Sequence, residues 1–459
     1  MQNLFAGGLA RSISLAVLQG LEPLAYLGLL AMVSFWSGPS EAGLYVYFID
    51  SVAIFTILAV FGFDVSGVRF LAAAVATGDL PRAHAFARFA QRVVVAAGFA
   101  SALAALVVWQ LIGDQATRLP AATLLGAATI PLHAVTLTQL ALLRGMGECL
   151  IPRLLKAGIP AATLLICGVV RQLGLLTEPS VVALLAIQAI VLGIALTVAI
   201  YRLSQFRLSS CADRSSFAPY TWLGTSATLL LVSAVMVIQS RLDTVMLATL
   251  RSETEAAVYA LVSKCSLLLI LPLTTVNYVI APRCASLHAA GDQEGMRRLV
   301  LRAAQLSLGL ALPIGAILSL VGQPMLNLLG EEFASRPSLL LLAMTAPLVQ
   351  AATGSVAVVA SMTGNQVVVG VVQTTAVLTN IALNAVAIPV FGVWGAVATT
   401  ATITIAARLA MVYGVWLRAG ILTLPIPLGH AASRETDPRA TGYRAPSVKP
   451  LCAVPSSDQ

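Results

Sequence analysis

The segment SETEAAVYALVSKCSLLLILPLTTV places an ammonium group, Lys264, deep in a run otherwise as apolar as lipid tails. A charge at the centre of a spanning helix costs about 2.5–3.5 kcal/mol on insertion scales, so it faces the protein interior or a wet cavity. There Lys264 can meet an anionic ligand, or it can neutralise Asp50 or Asp243 in an ion pair. Arg241 and Asp243 lie at similar depth, two residues apart. Two positions turn a helix by about 200°, so one lines a cleft while the other packs between helices. Lys264, Arg241, Asp50 and Asp243 are therefore the candidate substrate-binding residues. Glu22 precedes Pro23 near mid-span. It can bind a coupling proton or cation, or accept a bond from backbone freed by the proline. His133 is either a proton relay or a satisfied core histidine. Asp64, Arg69 and Arg283 flank the inner ends of spans as gate residues or interfacial anchors. Gln373, Asn380 and Asn384 recur at helical spacing, a pattern of interhelix hydrogen bonding.

Other chemistries lack their residues. The sequence contains no GxxxxGK[ST], no HExxH, and no GxSxG with partners. The four histidines (84, 133, 288, 430) are dispersed, and the six cysteines show no metal spacing. The expectation is a protein that is not an enzyme and uses no cofactor, metal or nucleic acid. Energy would come from an ion gradient or from the substrate's own.

The elements that hold these charges are membrane spans. Of 459 residues 58% are hydrophobic and 10% charged, with a mean hydropathy of +0.91, a composition of multi-spanning membrane proteins. Twelve apolar runs of spanning length lie near 10–34, 42–66, 90–112, 118–143, 151–171, 179–201, 221–248, 256–281, 300–321, 337–361, 366–389 and 392–417. The first is too long for a cleaved signal and carries Glu22 and Pro23. Placing both termini in the cytoplasm puts 20 of the 27 lysines and arginines inside and 4 outside, as positive-inside bias requires. A basic inner face beside anionic lipid accounts for the net charge of +8. The basic segments after Arg69 and Arg283 are candidates for short amphipathic surface helices, or for plain anchoring.

The chain repeats itself. Glu41, Ala42, Tyr45 and Arg69 match Glu255, Ala256, Tyr259 and Arg283 at a constant offset of 214, and Gly78-Asp79 then matches Gly291-Asp292. The same offset pairs Asp50 with Lys264. Six helices per repeat give both halves one orientation, related by an axis along the membrane normal. The expected fold is an all-α integral membrane protein: twelve helices in two pseudo-symmetric six-helix bundles around a central cleft. Expected units are 1–205 (first bundle), 206–220 (cytoplasmic linker), 221–420 (second bundle) and 421–459 (a disordered cytoplasmic tail rich in Pro, Ser and Arg).

GPSEAGLY, RFLAAAVATGDLPRA, RLDTVMLATLRSETEAAVYALVSK, LPLTTVNYVIAPRCASLHAAGD, SMTGNQ and NIALNAVAIPVFGVWGAVATTATI occur in this order along the chain. Together they resemble the polysaccharide (O-antigen or exopolysaccharide) flippases of the multidrug/oligosaccharidyl-lipid/polysaccharide exporter superfamily, over residues 5 to 420. The resemblance implies alternating-access transfer of an undecaprenyl-diphosphate-linked oligosaccharide across a bacterial inner membrane. It implies a cationic cleft with Lys264 as the family's basic residue of the eighth span and Arg241 at a commonly polar position. Expected partners are the lipid-linked oligosaccharide, membrane lipid, a glycan polymerase and a chain-length regulator. The sequence departs from the pattern in having Asp50 where the first half would repeat Lys264. The alternatives are an ion-coupled small-molecule antiporter of the same fold, which wants mid-membrane acids such as Glu22; a lipid II flippase, which has fourteen spans; and an integral-membrane glycan enzyme, which carries a large soluble loop.

Overall fold

The computed structural model describes residues 2–112, 119–174, 179–206, 219–327, 336–362 and 366–419. The linker expected at 206–220 falls almost wholly outside them, and the tail expected at 421–459 does so entirely. The first half contains α1 (Gln2–Ser37), α2 (Pro39–Val60), α3 (Phe63–Ala76), α4 (Leu80–Ile112), α5 (Pro120–Gly145), α6 (Leu150–Gln172) and α7 (Val181–Ser204). The second contains α8 (Pro219–Leu250), α9 (Glu253–Leu267), α10 (Leu271–Ala289), α11 (Gln293–Asn327), α12 (Pro337–Thr353), α13 (Val356–Met362), α14 (Gln366–Phe391) and α15 (Val393–Ala419). Among the described residues there is no strand. Among the described residues eleven helical stretches are long and apolar enough to cross a membrane, and α12 is a shorter apolar helix. The chain is a multi-pass membrane protein with two six-span halves. Its lipid-facing belt includes Phe99, Leu111, Leu320 and Phe391, all more than half exposed.

Four expected elements break or merge where local chemistry demands. The run 42–66 is not one helix. It stops at Val60, where Phe61 (φ 52°) and Gly62 (φ 76°) turn left-handed before α3 begins. A Cβ on Gly62 would lie 2.1 Å from the Ser226 carbonyl oxygen, so only glycine fits between α2 and α8. The run 256–281 passes from α9 through a 3₁₀ turn at Leu268–Ile270 into α10. Pro272, at the second position of α10, has no N–H to continue an α-helical ladder. The run 337–361 divides at Gly354 (φ 61°) into α12 and α13. The basic segments after Arg69 and Arg283 do not form separate surface helices. Gly78 (φ 73°) and Gly291 (φ 70°) turn the chain, and α4 and α11 then run unbroken for 33 and 35 residues. Asp79 and Asp292 cap them by accepting the N–H groups of Arg82 (3.0 Å) and Gly295 (2.7 Å). The Gly-Asp repeat thus encodes a helix start at one end of each half. With Arg82, Arg88, Arg297 and Arg298 close by in sequence, this is the basic end.

The halves meet along α2. At the end opposite the basic one, α2 packs so closely on α9 that a Cβ on Gly43 would sit 1.8 Å from the Glu253 carbonyl oxygen. At the basic end Ser66 and Ser226 share a hydrogen bond of 2.7 Å. There Trp222 of α8 lies against Phe86 and Phe89 of α4, with centroids 5.4 and 5.6 Å away. Between these two contacts the helices diverge around a cavity.

Candidate functional site

The cavity measures about 330 Å³, small for a ligand site. Its walls come mostly from the first half. Glu22, Pro23 and Tyr26 of α1 face it, as do Tyr45, Ile49 and Thr56 of α2. His133 of α5, Lys156 and Pro160 of α6, and Gln188 of α7 continue the wall. The second half contributes Ser240 and Arg241 of α8 and Lys264 of α9. Pro23 lies within α1 and Pro160 within α6, each facing the cavity. Each removes a backbone donor from its helix and frees a carbonyl one turn before it.

Arg241 reaches across the boundary between the halves. Its Nη1 donates to Asp50 Oδ1 at 2.5 Å; the carboxylate side chain is 2% exposed and the guanidinium 28%. Asp50 thus meets the cavity through Arg241, and Lys264 is not its partner. The Lys264 ammonium lies 5.2 Å from the ring centre of Tyr26, within cation–π range. Among the described residues it has no carboxylate at salt-bridge distance. Glu22 lies between Arg153 (3.6 Å) and Lys156 (3.7 Å). Lys156 remains about half exposed. The lining therefore carries three cations, Lys156, Arg241 and Lys264, against one carboxylate, Glu22. Tyr45 points its hydroxyl at Gln188, donating at 2.6 Å, and so fixes one neutral amide on the wall.

Asp243 requires a correction. It does not line the cavity. It is 3% exposed inside the second half, where it accepts bonds from Tyr259 Oη (2.6 Å), Thr400 Oγ1 (2.6 Å) and Asn384 Nδ2 (2.8 Å). The 200° between neighbours-but-one sends Arg241 to the cavity and Asp243 the other way. Its partners are neutral donors on α9, α15 and α14. Asn380 extends the network to Thr400 at 3.1 Å, and Gln373 bonds Gln239 across α14 and α8.

The remaining candidates lie elsewhere. Glu22 and His133 both face the cavity. Asp64 sits at the start of α3, where Arg144 Nη2 donates to its backbone oxygen at 3.1 Å. Arg69 and Arg283 are exposed near the basic end. Sequence reasoning missed three wall residues. Lys156 reads in sequence as one more positive-inside residue, although it shares a helix face with Arg153 and both reach Glu22. Tyr26 and Gln188 carry no charge to mark them in an apolar run.

Residues 228–394 match the MatE family model. No curated relative matches the chain. Solved structures share its fold at low identity. An inward-facing multidrug resistance MATE family transporter of the MOP superfamily superimposes with a TM-score of 0.71 at 13% identity, covering 88% of this chain and 98% of that one. A MOP superfamily transporter from Pyrococcus furiosus, described as having a binding pocket of reversed polarity that suggests a different function, gives 0.61 at 14%, with 89% and 94% covered. A mutant of the Vibrio cholerae MATE transporter VcmN gives 0.56 at 17%, with 89% and 97% covered.

Proposed function

We propose that this protein is an alternating-access transporter that moves an undecaprenyl-diphosphate-linked oligosaccharide between the leaflets of a bacterial inner membrane, for O-antigen or exopolysaccharide export. One observation carries the reading: the cavity lining holds Lys156, Arg241 and Lys264, and with Glu22 on the wall and Asp50 behind Arg241 the cations still exceed the carboxylates. An excess of positive charge among membrane spans is costly unless an anion completes it. A diphosphate carries the opposite charge at the size of this cavity, while lipid and distal sugars extend beyond it. The fold is shared with a transporter described in inward- and outward-facing conformations, and two-sided access is what such a cargo needs. In this reading the basic end faces the cytoplasm with both termini, and a glycan polymerase and a chain-length regulator act on the product outside.

A second reading has its own support. Two neighbours in fold are described as multidrug resistance transporters, and Glu22 and His133 are protonatable groups on the cavity wall. Export of a cationic small molecule in exchange for ions would use them.

Reconstitution decides between the two. Proteoliposomes loaded with undecaprenyl-diphosphate oligosaccharide on one leaflet should expose the glycan to an external glycosidase, and the Lys264→Ala protein should not. Extrusion of a cationic dye on an imposed proton or sodium gradient, without glycan transfer, would establish the antiporter instead.

A further inference from the structure

Two contacts clasp the halves at mid-depth, and the repeat relates them. Asp50 on α2 binds Arg241 on α8 at 2.5 Å. Its counterpart at offset 214, Lys264 on α9, faces Tyr26 on α1 at 5.2 Å. The same offset carries Arg241 to within one residue of Tyr26. Each half therefore reaches from its second span to the first span of the other. The two clasps differ in strength. One joins full charges at hydrogen-bond distance; the other is a cation over a ring, a weaker attraction.

The ionic clasp does not act alone. The seam it closes, α2 on α8, continues through the Phe61–Gly62 turn into α3, which is pinned to α8 at the basic end. There Gly62 nests against the Ser226 carbonyl, and Ser66 bonds Ser226 at 2.7 Å. Loosening the seam at Arg241 therefore removes its ionic anchor and leaves the neutral contacts at the basic end.

Arg241 also faces the cavity. An anion entering there finds the guanidinium charge already matched by Asp50, and gains it in full only by taking it away. Asp50, 2% exposed, would then be a buried carboxylate without a partner, a state that is strongly unfavourable unless water reaches it. Displacement and separation of α2 from α8 thus become one event. Resting on the anionic cargo proposed above, we propose that Asp50 is a displaceable latch: it holds Arg241 to close the α2–α8 seam, and the cargo's phosphate groups take Arg241 from it, so that the seam opens for the loaded carrier.

The test uses the full chain carrying Ser66→Cys and Ser226→Cys. Formation of the 66–226 disulfide is timed by peptide mass mapping, which separates it from links to native cysteines. One arm adds inorganic diphosphate, which carries the headgroup's phosphates alone, and the other undecaprenyl diphosphate in micelles. Crosslinking should slow about ten-fold with either anion, a population shift towards the open seam. With Asp50→Asn added, it should be slow from the start and change less than about two-fold with either anion. Asp50→Glu, which keeps the carboxylate, should restore the anion response, and monodisperse elution of each variant confirms folding. The latch is overturned if the Asn variant crosslinks as fast as its parent, or if bound anion leaves the parent's rate unchanged. Absence of anion binding to the parent would defeat the cargo assignment, while the rate in the Asn variant still decides whether Asp50 closes the seam.

Discussion

Glu41 and Glu255 hold the same post in the two halves. Glu41 Oε2 accepts the N–H of Val181, the first residue of α7, at 3.1 Å. Glu255 Oε2 accepts the N–H of Val393, the first residue of α15, at 2.9 Å. Each carboxylate serves as a distant N-cap for the last span of its half, where free backbone donors and the helix dipole favour negative charge. Glu255 is also flanked by Arg336 (3.6 Å) and Arg251 (3.9 Å). Gly392 leaves room for it: a Cβ there would lie 2.4 Å from its oxygen.

Removing these caps should destabilise the halves unequally. Glu41→Ala should cost about 1 kcal/mol, the ordinary value of a lost cap. Glu255→Ala should cost about 2 kcal/mol, because Arg336, largely buried, loses its counter-charge as well. Thermal unfolding in detergent, read as two melting shifts, measures the difference; equal shifts would reject it.

Lys264→Ala should fold and insert normally, since its ammonium holds no ion pair among the described residues. Glycan transfer should fall by a hundred-fold or more, about 2.7 kcal/mol in the binding or transfer of a desolvated anion. Lys264→Arg should retain a measurable share. Normal transfer by the alanine protein at normal abundance would reduce Lys264 to a structural residue.

Asp243 allows a prediction of opposite sign. Asp243→Ala strands the Tyr259, Thr400 and Asn384 donors and should cost about 4 kcal/mol. Asp243→Asn should cost about 1 kcal/mol, because the two hydroxyls can turn to accept. Because Asp243 is not a wall residue, diphosphate affinity of the Asn protein should match the parent in calorimetry. A large loss would bring the residue back into the binding site.

Gly43→Ala should be harsher than any cavity substitution. Its methyl would enter the Glu253 carbonyl at 1.8 Å, forcing α2 and α9 apart at a cost of about 3 kcal/mol. Gly78→Ala meets no atom within 4 Å and strains only a left-handed turn, about 1 kcal/mol. Membrane abundance of the two proteins, compared by immunoblot, should rank them in that order.

Much of this was legible along the chain. Hydropathy is a one-dimensional signal, so the spans emerge directly, and the offset of 214 exposes the two halves. The price of a buried charge singled out Glu22, Arg241 and Lys264, and all three face the cavity. Pairing was less legible. Charge alone offered Lys264 as partner to Asp50, yet Arg241 takes that place because α2 packs along α8. Which helix docks on which is a property of side-chain shape in three dimensions, not of periodicity. Helix breaks were hidden for a different reason. Gly62 and Gly354 sit in apolar runs, where averaging over a window long enough to find a span erases a one-residue turn.

The uneven ownership of the cavity has an evolutionary implication. Five of its seven wall helices belong to one copy of a duplicated unit, while the other copy devotes its buried Asp243 network to holding its own helices together. Substitutions that retune which cargo is accepted should therefore accumulate in one copy, leaving its twin free to diverge as a mechanical frame.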